Sequence, residues 1–305
     1  ICLLLLSVAC SRKEADYTIA VSQCSEDDWR AQMNKEILRE ALFYPGVNVE
    51  VYQAHDDNTH QIKDIESLIE RKVDLLIVAP NEAEAITPVI EKAYDAGIPV
   101  ILSTGKSILK KYTAYVGADN YEIGRKAGEY IADRLGGKGR VIEITGLRGS
   151  TPAVERHRGM MEALKAVPGV QVVASAEAGW FRQKAGEVMD TLLDAHPQVN
   201  LVFAQNDRMA IGAYEKARQK NRAGQIAFVG VDAVAGGVES VAEGKLDATF
   251  IYPTGGDKVI QVHGYTTWRT LSTRKYNFLT ALVNRANARV IADADEAYSD
   301  AGPEN

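Results

Sequence analysis

Short apolar segments alternate with amphipathic segments along most of the chain. The apolar segments have the length of buried strands, whereas the amphipathic ones repeat apolar residues every three to four positions, as helices do. The pattern predicts about ten strands in two series. The first series is 17–21, 47–52, 73–78, 100–102 and 114–116, and the second is 141–144, 170–173, 201–204, 226–229 and 249–252.

Strands that alternate with helices predict parallel sheets built from right-handed βαβ units. Two series of strands favour two sheets over one very wide sheet, and 305 residues are enough for two domains. The predicted fold class is therefore α/β, with two doubly wound parallel-sheet domains. A cleft between such domains would face the carboxyl ends of both sheets, where ligands bind in open α/β folds.

The stretch 201–213 marks the passage from a strand to a helix in the second series. Its apolar run ends at Ala204, and the polar residues Gln205, Asn206 and Asp207 precede a helical repeat. We interpret Asp207 as the cap of this helix. For Asn206 two interpretations start equal: a capping residue, or a ligand contact through its amide, which offers both donors and an acceptor.

A helix is also predicted at 120–135, with Gly124 and Gly128 on its apolar side. Because glycine has no side chain, we expect these two positions to allow close approach to a sheet.

Polar and aromatic residues gather where the predicted strands end. Each alone is a capping residue or a surface aromatic, but together they suit a sugar, since planar polar side chains bond neighbouring hydroxyls and Trp covers the apolar face of a ring. The candidate ligand residues from this pattern are Asp27, Trp29, Arg30, Asn81, Thr104, Arg156, Trp180, Asn206 and Asp232.

The composition is that of a soluble globular protein, with 46% hydrophobic and 25% charged residues. A net charge of −6 argues against a nucleic-acid partner. Residues 1–9 are too short to span a bilayer and resemble the core of a secretion signal. Residues 6–10 resemble a relaxed lipobox, which predicts acylation of Cys10, although a plain signal peptide or a buried strand stays an alternative. Residues 292–305 have the composition of a disordered tail.

Complete catalytic and cofactor motifs are missing from the sequence. The segment 105–107 imitates the end of a phosphate-binding loop, but position 100 is Val where that loop needs Gly. The run 55–60 carries metal-capable side chains, yet it precedes a predicted helix near Gln61 and is typical of a solvated loop and helix cap. We therefore expect no cofactor and no enzyme activity.

Four segments resemble those of the type I periplasmic sugar-binding proteins, the ribose-binding subfamily in particular. These segments are 117–124, 149–159, 203–213 and 229–232. The similarity is closer still to the periplasmic sensor domains of hybrid two-component regulators, through the segments 24–30, 79–82, 111–115 and 248–254.

This resemblance implies an exported, periplasmic protein whose two lobes are joined by a three-strand hinge near Asp119, Tyr252 and Thr280. The implied N-terminal lobe is 16–119 with 253–280, and the implied C-terminal lobe is 120–252 with 281–291. The implied ligand is a pentose or hexose of the fructose or ribose class. An ABC permease or a membrane histidine kinase is the implied partner.

Site roles also follow from the resemblance. Trp29 and Trp180 would stack on opposite faces of the sugar, and its hydroxyls would bond Asp27, Arg30, Arg156, Asn206 and Asp232. Two positions depart from the subfamily. Thr104 and Gly105 replace an Asp-Arg pair that binds sugar in many relatives, and Tyr252 replaces an amide. Two rival functions remain: a sugar-responsive transcription-regulator core of the same fold, and a sugar-processing enzyme.

Overall fold

The described chain, residues 16–253 and 261–263 of a computed structural model, forms two separate β-sheets. The first sheet has the strand order β2-β1-β3-β4-β5, and all its strands are parallel. Its strands are β1 (Tyr17–Gln23), β2 (Val47–Gln53), β3 (Leu75–Val78), β4 (Val100–Ser103) and β5 (Ala114–Val116). The predicted first series of strands is confirmed, with shifts of one or two residues at the ends.

The second sheet has the order β11-β10-β9-β8-β6-β7 and is parallel except at β11. Its strands are β6 (Gly139–Thr145), β7 (Val170–Glu177), β8 (Leu201–Ala204), β9 (Ala227–Asp232), β10 (Ala248–Ile251) and β11 (Gln261–His263). The first five of these confirm the second predicted series. Several strands run further at their carboxyl ends than predicted, because backbone pairing continues through polar residues that pattern reading treats as breaks.

Helices cover both faces of each sheet, so the α/β doubly wound prediction is confirmed. In the first sheet they are α1 (Asp28–Ala41), α2 (Asn58–Glu70) and α3 (Ala83–Asp95). In the second they are α4 (Asn120–Arg134), α5 (Thr151–Lys165), α6 (Arg182–Ala195), α7 (Asp207–Gln219) and α8 (Ala235–Ala242). Successive residues of a strand point to opposite faces of the sheet. In β1, Ile19 packs with α1 on one face, and Ala20 packs with α2 and α3 on the other.

The second sheet is covered by α4 and α5 on one face and by α6, α7 and α8 on the other. Gly124 and Gly128 lie against α5 and not against a sheet, so the expected partner of these glycines was wrong. A Cβ at Gly124 would clash with the carbonyl of Arg156, and one at Gly159 would clash with the carbonyl of Tyr121. The two helices share one sheet face, and small residues at their crossing let their backbones touch.

The chain passes from the first sheet to the second between β5 and α4, where Asp119 caps α4 by accepting a hydrogen bond from the N–H of Glu122 (2.9 Å). It leaves β10 immediately before Tyr252. The third implied crossing, Thr280, lies outside the described residues, as do 281–291 and the proposed tail. Within 253–280 the structure describes strand only at Gln261–His263, and these residues pair antiparallel with β10. These three residues thus extend the second sheet, and the implied lobe boundaries stay a prediction.

Candidate ligand-binding site

A single cavity between the two sheets brings together all of the predicted site residues. The first lobe contributes Asp27, Trp29, Arg30, Asn81 and Thr104, and the second contributes Arg156, Trp180, Asn206, Asp232 and Tyr252. The cavity volume is about 50 Å³, counted as space for the centres of water molecules. One water needs about 10–15 Å³ on this measure, so the cavity has room for a small polar molecule.

The loop after β1 forms a wall of linked polar groups. Asp27 caps α1 by accepting from the N–H of Arg30 (2.8 Å). The guanidinium of Arg30 donates to the hydroxyl of Ser25 (2.9 Å) and to Oε1 of Gln23 (3.0 Å). Each of these polar groups is therefore held in place by its neighbours.

Trp29 in α1 and Tyr252, which follows β10, pack together across the two lobes. The indole N–H of Trp29 donates to the carbonyl of Tyr252 (2.6 Å), and the ring centroids lie 4.8 Å apart with a 34° tilt. Only 7% of Trp29 is exposed. The indole nitrogen is therefore occupied within the protein, and the expected stacking of Trp29 on a ligand stays a prediction.

Arg156 is the most deeply placed charged group of the site, with 2% of its surface exposed. It lies on α5, and its Nε donates to Oδ1 of Asn120 (3.0 Å) while Nη1 donates to the carbonyl of Gln205. Its guanidinium carbon lies 4.6 Å from the ring centroid of Tyr252 and 5.7 Å from that of Trp180. Neutral acceptors and aromatic faces thus stabilise this buried cation.

Trp180 reaches the cavity because Gly146 leaves room for it. A Cβ at Gly146 would overlap the six-membered ring of the indole. Trp180 itself has a φ of +76°, in the left-handed region that is unfavourable for a bulky residue. Its carbonyl accepts hydrogen bonds from Asn206 Nδ2 (3.3 Å) and Arg208 Nη2 (3.1 Å), which hold this turn.

The residue that caps α7 is Asn206 and not, as predicted, Asp207. Asn206 is the N-cap of α7: its Oδ1 accepts from the N–H of Met209 (2.9 Å). Asp207 is the first helical residue, fully buried, and its Oδ1 accepts from the hydroxyl of Thr249 (2.6 Å). The assignment of Asp207 as the cap was therefore wrong. Local sequence could not separate the two, since both residue types cap helices well.

Asp232 ends β9 and lines the cavity. Burial raises the pKa of Asp232 to about 7, against the opposing effect of the Arg156 charge. Burial, with a smaller contribution from the Asp232 carboxylate, also raises the pKa of Asp207. A neutral or charged Asp232 can bond a hydroxyl, but only the charged form is a pure acceptor.

Asn81 and Thr104 line the cavity but are also engaged by the protein. The amide nitrogen of Asn81 donates to the carbonyl of Asp56 (3.2 Å) and to Oδ1 of Asn58 (2.9 Å). Thr104 has a φ of +65°, and its carbonyl accepts from the hydroxyl of Tyr252 (3.2 Å). The Tyr252 side chain thus reaches across to the first lobe at the end of β4.

Direct contacts join the two lobes around the rim of the cavity. Nζ of Lys106 lies 2.8 Å from Oε1 of Glu155, and the backbone N–H of Lys106 donates to the hydroxyl of Thr151 (2.8 Å). On α3, the N–H of Ala83 donates to the carbonyl of Gly149 (3.0 Å). The lobes are therefore closed on each other in this structure.

Sequence reasoning missed the buried polar residues next to Arg156 on the side away from the cavity lining. Gln205, fully buried, donates to Oε1 of Glu143 (2.9 Å) and accepts from the N–H of Gly146 (3.0 Å). The other Glu143 oxygen bonds His157 Nδ1 (2.7 Å) and the Ser175 hydroxyl (2.9 Å). The available signal was one glutamate inside the apolar strand β6.

Other chemistry was also considered in the described part of the chain. Asp57 caps α2 by accepting from the N–H groups of Thr59 and His60, so the cap interpretation of 55–60 is confirmed; α2 starts at Asn58 and not near Gln61. Among residues 16–253, the side chains group into no cluster of three or more metal-ligating residues. No helix within these described ranges is long and apolar enough to cross a membrane.

Two doubly wound lobes that close over a polar, aromatic cavity define a two-lobed binding protein. The family model of the periplasmic binding protein domain matches residues 19–257. The chain therefore belongs to the periplasmic binding protein family, whose members act in the periplasm.

Individual proteins of known function are also similar to this chain. The chain is 32% identical over 240 residues to the ribose import binding protein RbsB of Bacillus subtilis, covering 78% of this chain and 77% of the relative. It is 31% identical over 213 residues to the galactofuranose-binding protein YtfQ of Escherichia coli, covering 67% of each. The solved fructose-binding periplasmic domain of a hybrid two-component system is 43% identical, with a TM-score of 0.79, and the match covers 93% of this chain and 95% of that domain. These relatives are binding proteins.

Proposed function

We propose that this protein binds a monosaccharide, a pentose or hexose of the fructose or ribose class, in the cavity between its lobes. The observation that supports this most strongly is the convergence of polar and aromatic residues from both lobes on one cavity. Relatives at 31–43% identity that bind ribose, galactofuranose or fructose support the ligand class.

The proposal assigns a role to each of the site residues. Trp180 covers one face of the sugar ring, and Trp29 with Tyr252 forms the opposite apolar wall. Arg156 donates to ring hydroxyls and Asp232 accepts from them. Asp27, Arg30, Asn81, Thr104 and Asn206 complete the polar lining.

Closure on the sugar is the conformational step of this function. The polar wall of the first lobe and the Arg156 group of the second can contact one ligand together only when the lobes meet. A nearly complete shift to the closed form requires about 5 kcal/mol of differential affinity. Closure, and not chemical turnover, is the proposed output, so the protein is a binder without enzyme activity.

A membrane partner would recognise the closed form of the protein. We favour signalling to a membrane histidine kinase, because the sensor-domain relative shares more identity and coverage with this chain than the ribose import protein does. Delivery of sugar to an ABC permease is the second candidate, supported by that import relative. Deletion of the gene would abolish a sugar-dependent transcriptional response in the first case, and sugar uptake in the second.

Attachment of the chain to the membrane through an acylated Cys10 is a further part of this proposal, based on the lipobox-like residues 6–10. It is tested by metabolic labelling with an alkyne fatty acid in the native cell. Labelling that persists in Cys10→Ser would refute the anchor at this residue.

The binding proposal is tested by thermal unfolding in the presence of single monosaccharides, with fructose, ribose, allose and galactose among them. At least one sugar is expected to raise the Tm, and its deoxy analogues to raise it less, because a missing hydroxyl leaves a buried polar group unpaired. Trp180→Ala should abolish the shift, whereas Phe181→Ala, at an exposed neighbour, should retain it. A panel without any Tm shift would refute monosaccharide binding.

A further inference from the structure

Asp232 stands on a strained backbone turn. Its φ is +118° and that of Ala233 is +51°, so two successive residues with side chains occupy the region that glycine normally fills. Such conformations persist only when surrounding contacts hold them in place. The turn matters because it sets the direction in which the Asp232 carboxylate leaves the end of β9.

The hydroxyl of Thr249 connects this turn to the buried carboxylate of Asp207, which the backbone N–H groups of Val234 and Ala233 also approach. The N–H of Ala233 donates to Oγ1 of Thr249 (3.2 Å), and the same hydroxyl donates to Oδ1 of Asp207 (2.6 Å). Thr249 and Asp207 are both fully buried. Since a hydroxyl that gives its proton to Asp207 must present a lone pair elsewhere, its orientation suits the Ala233 N–H.

The carboxylate of Asp207 fits a space made by two glycines. A Cβ at Gly230, in β9, would clash with Oδ1, and a Cβ at Gly237, in α8, would clash with Oδ2. The carboxylate therefore lies between β9 and the first turn of α8, the two elements that the strained turn connects. Burial raises the pKa of Asp207, and a buried polar group of this kind is costly unless its contacts are part of the structure.

We propose that Asp207, through the hydroxyl of Thr249, is a positioning residue that holds the Asp232–Ala233 turn and so directs the Asp232 carboxylate into the cavity. Neither residue lines the cavity. The inference rests on the proposed role of Asp232 in sugar binding.

The ligand-free protein supplies the first test, by hydrogen exchange of the Ala233 amide measured by NMR. Thr249→Val keeps the shape of the side chain and removes both hydrogen bonds, so exchange at Ala233 should accelerate at least about tenfold, while Val229 in the same strand remains protected. Thr249→Ser retains the hydroxyl and should stay close to the unaltered protein. Unchanged exchange at Ala233 in Thr249→Val would overturn the inference, and this result does not depend on any sugar.

The second test is the affinity for the sugar found in the thermal screen, measured in a double-mutant cycle. Thr249→Val should weaken binding about tenfold in the native background and have almost no further effect in Asp232→Asn, because it acts through that carboxylate. Equal weakening in both backgrounds would contradict the positioning role.

Two further variants test which property of the Asp207–Thr249 hydrogen bond is required. Asp207→Asn keeps an oxygen that accepts from Thr249 and should bind within about threefold of the native protein. A loss of affinity as large as that of Thr249→Val would show that the charge of Asp207 matters, and not its hydrogen bond with the Thr249 hydroxyl. Thr87→Val is the control for loss of a buried threonine hydroxyl: Thr87 bonds the carbonyl of Ala83 (2.6 Å) and does not line the cavity. It should lower the Tm without changing affinity. If no monosaccharide binds the native protein, the proposed function fails, and the exchange experiment still decides this inference.

Discussion

The guanidinium carbon of Arg156 lies 4.6 Å from the centroid of the Tyr252 ring. Arg156 comes from α5, whereas Tyr252 follows β10 and bonds the first lobe through Thr104. The charged centre of the site is therefore packed against a ring that contacts both lobes.

Replacement of Arg156 by Met should weaken sugar binding at least about 100-fold, because one buried donor group serves several ligand contacts. Stability should fall by about 1–3 kcal/mol, since Asn120 Oδ1 and the Gln205 carbonyl lose their donor. Calorimetric titration and urea unfolding measure the two effects. Arg158→Met is the control: Arg158 lies two positions along the same helix, is exposed, and packs 4.8 Å from the Tyr121 ring. An affinity that survives Arg156→Met would contradict the assigned role.

Gly146→Ala should weaken binding without removing any group that contacts the sugar. The added methyl group occupies the space of the Trp180 ring and displaces it from the cavity wall. We expect an affinity loss of about tenfold or more, of the size that misplaced aromatic contacts produce. Gly236→Ala, where a Cβ meets nothing within 4 Å, should leave the affinity unchanged. If both variants bind equally well, the Trp180 ring does not cover the ligand.

Lys106→Ala should weaken binding by up to about fivefold, because the Lys106–Glu155 pair joins the lobes only when they are closed and partly exposed pairs contribute about 0.2–1 kcal/mol. The native protein should lose the same factor in high salt, whereas the variant should be less sensitive to salt. Lys111→Ala, which removes an exposed pair with Asp95 within the first lobe, is the matched control. Identical salt dependence in native protein and Lys106→Ala would exclude the pair from closure.

Asp232→Asn should change how stability depends on pH. The pKa of Asp232 is raised to about 7 in the folded protein from an ordinary value of 3.8. Folding therefore binds protons between these values, and this contribution to stability, fully present below pH 4, is lost as pH rises through 7. Removing the carboxyl also lowers the raised pKa of Asp207, which acts in the same direction.

The stability of Asp232→Asn relative to the native protein should accordingly increase between pH 5 and pH 8, by about 1–2 kcal/mol. Urea unfolding at the two pH values measures this difference. Glu122→Gln, at a carboxyl whose pKa is lowered by Arg125 from an ordinary value of 4.5, is the control: its relative stability should stay constant between pH 5 and pH 8, because this carboxyl is ionised in both the folded and the unfolded chain over that range. If the difference in unfolding free energy between Asp232→Asn and the native protein is the same at both pH values, this carboxyl titrates normally in the folded protein.

The strands and the site lining could be predicted from sequence because both depend on simple local signals. Buried parallel strands are short apolar runs, and residues that follow them meet at one sheet edge, whatever the order of strands in the sheet. Asp27 and Asp232 are 205 positions apart in sequence and still line one cavity. The topology brings them together without any local pattern that relates them.

The parts that sequence reasoning missed depend on tertiary contacts between particular atoms. Asp207 was assigned as the cap of α7, but its carboxylate accepts the hydroxyl of Thr249, which lies more than 40 residues away in sequence. Gly124 was assigned to a sheet because nothing in the helix reveals that α5 crosses it. The indole N–H of Trp29 is occupied by a carbonyl 223 positions further along the chain.

Calorimetric titration of the purified protein with the panel of monosaccharides is the most direct test of the central claim. We predict one binding site per chain for at least one sugar, with a Kd of about 100 μM or tighter, and loss of measurable binding in the double variant Arg156→Met, Asp232→Asn. Absence of binding heat for every sugar, or binding that is unchanged in the double variant, would contradict the assignment of this cavity as a sugar site.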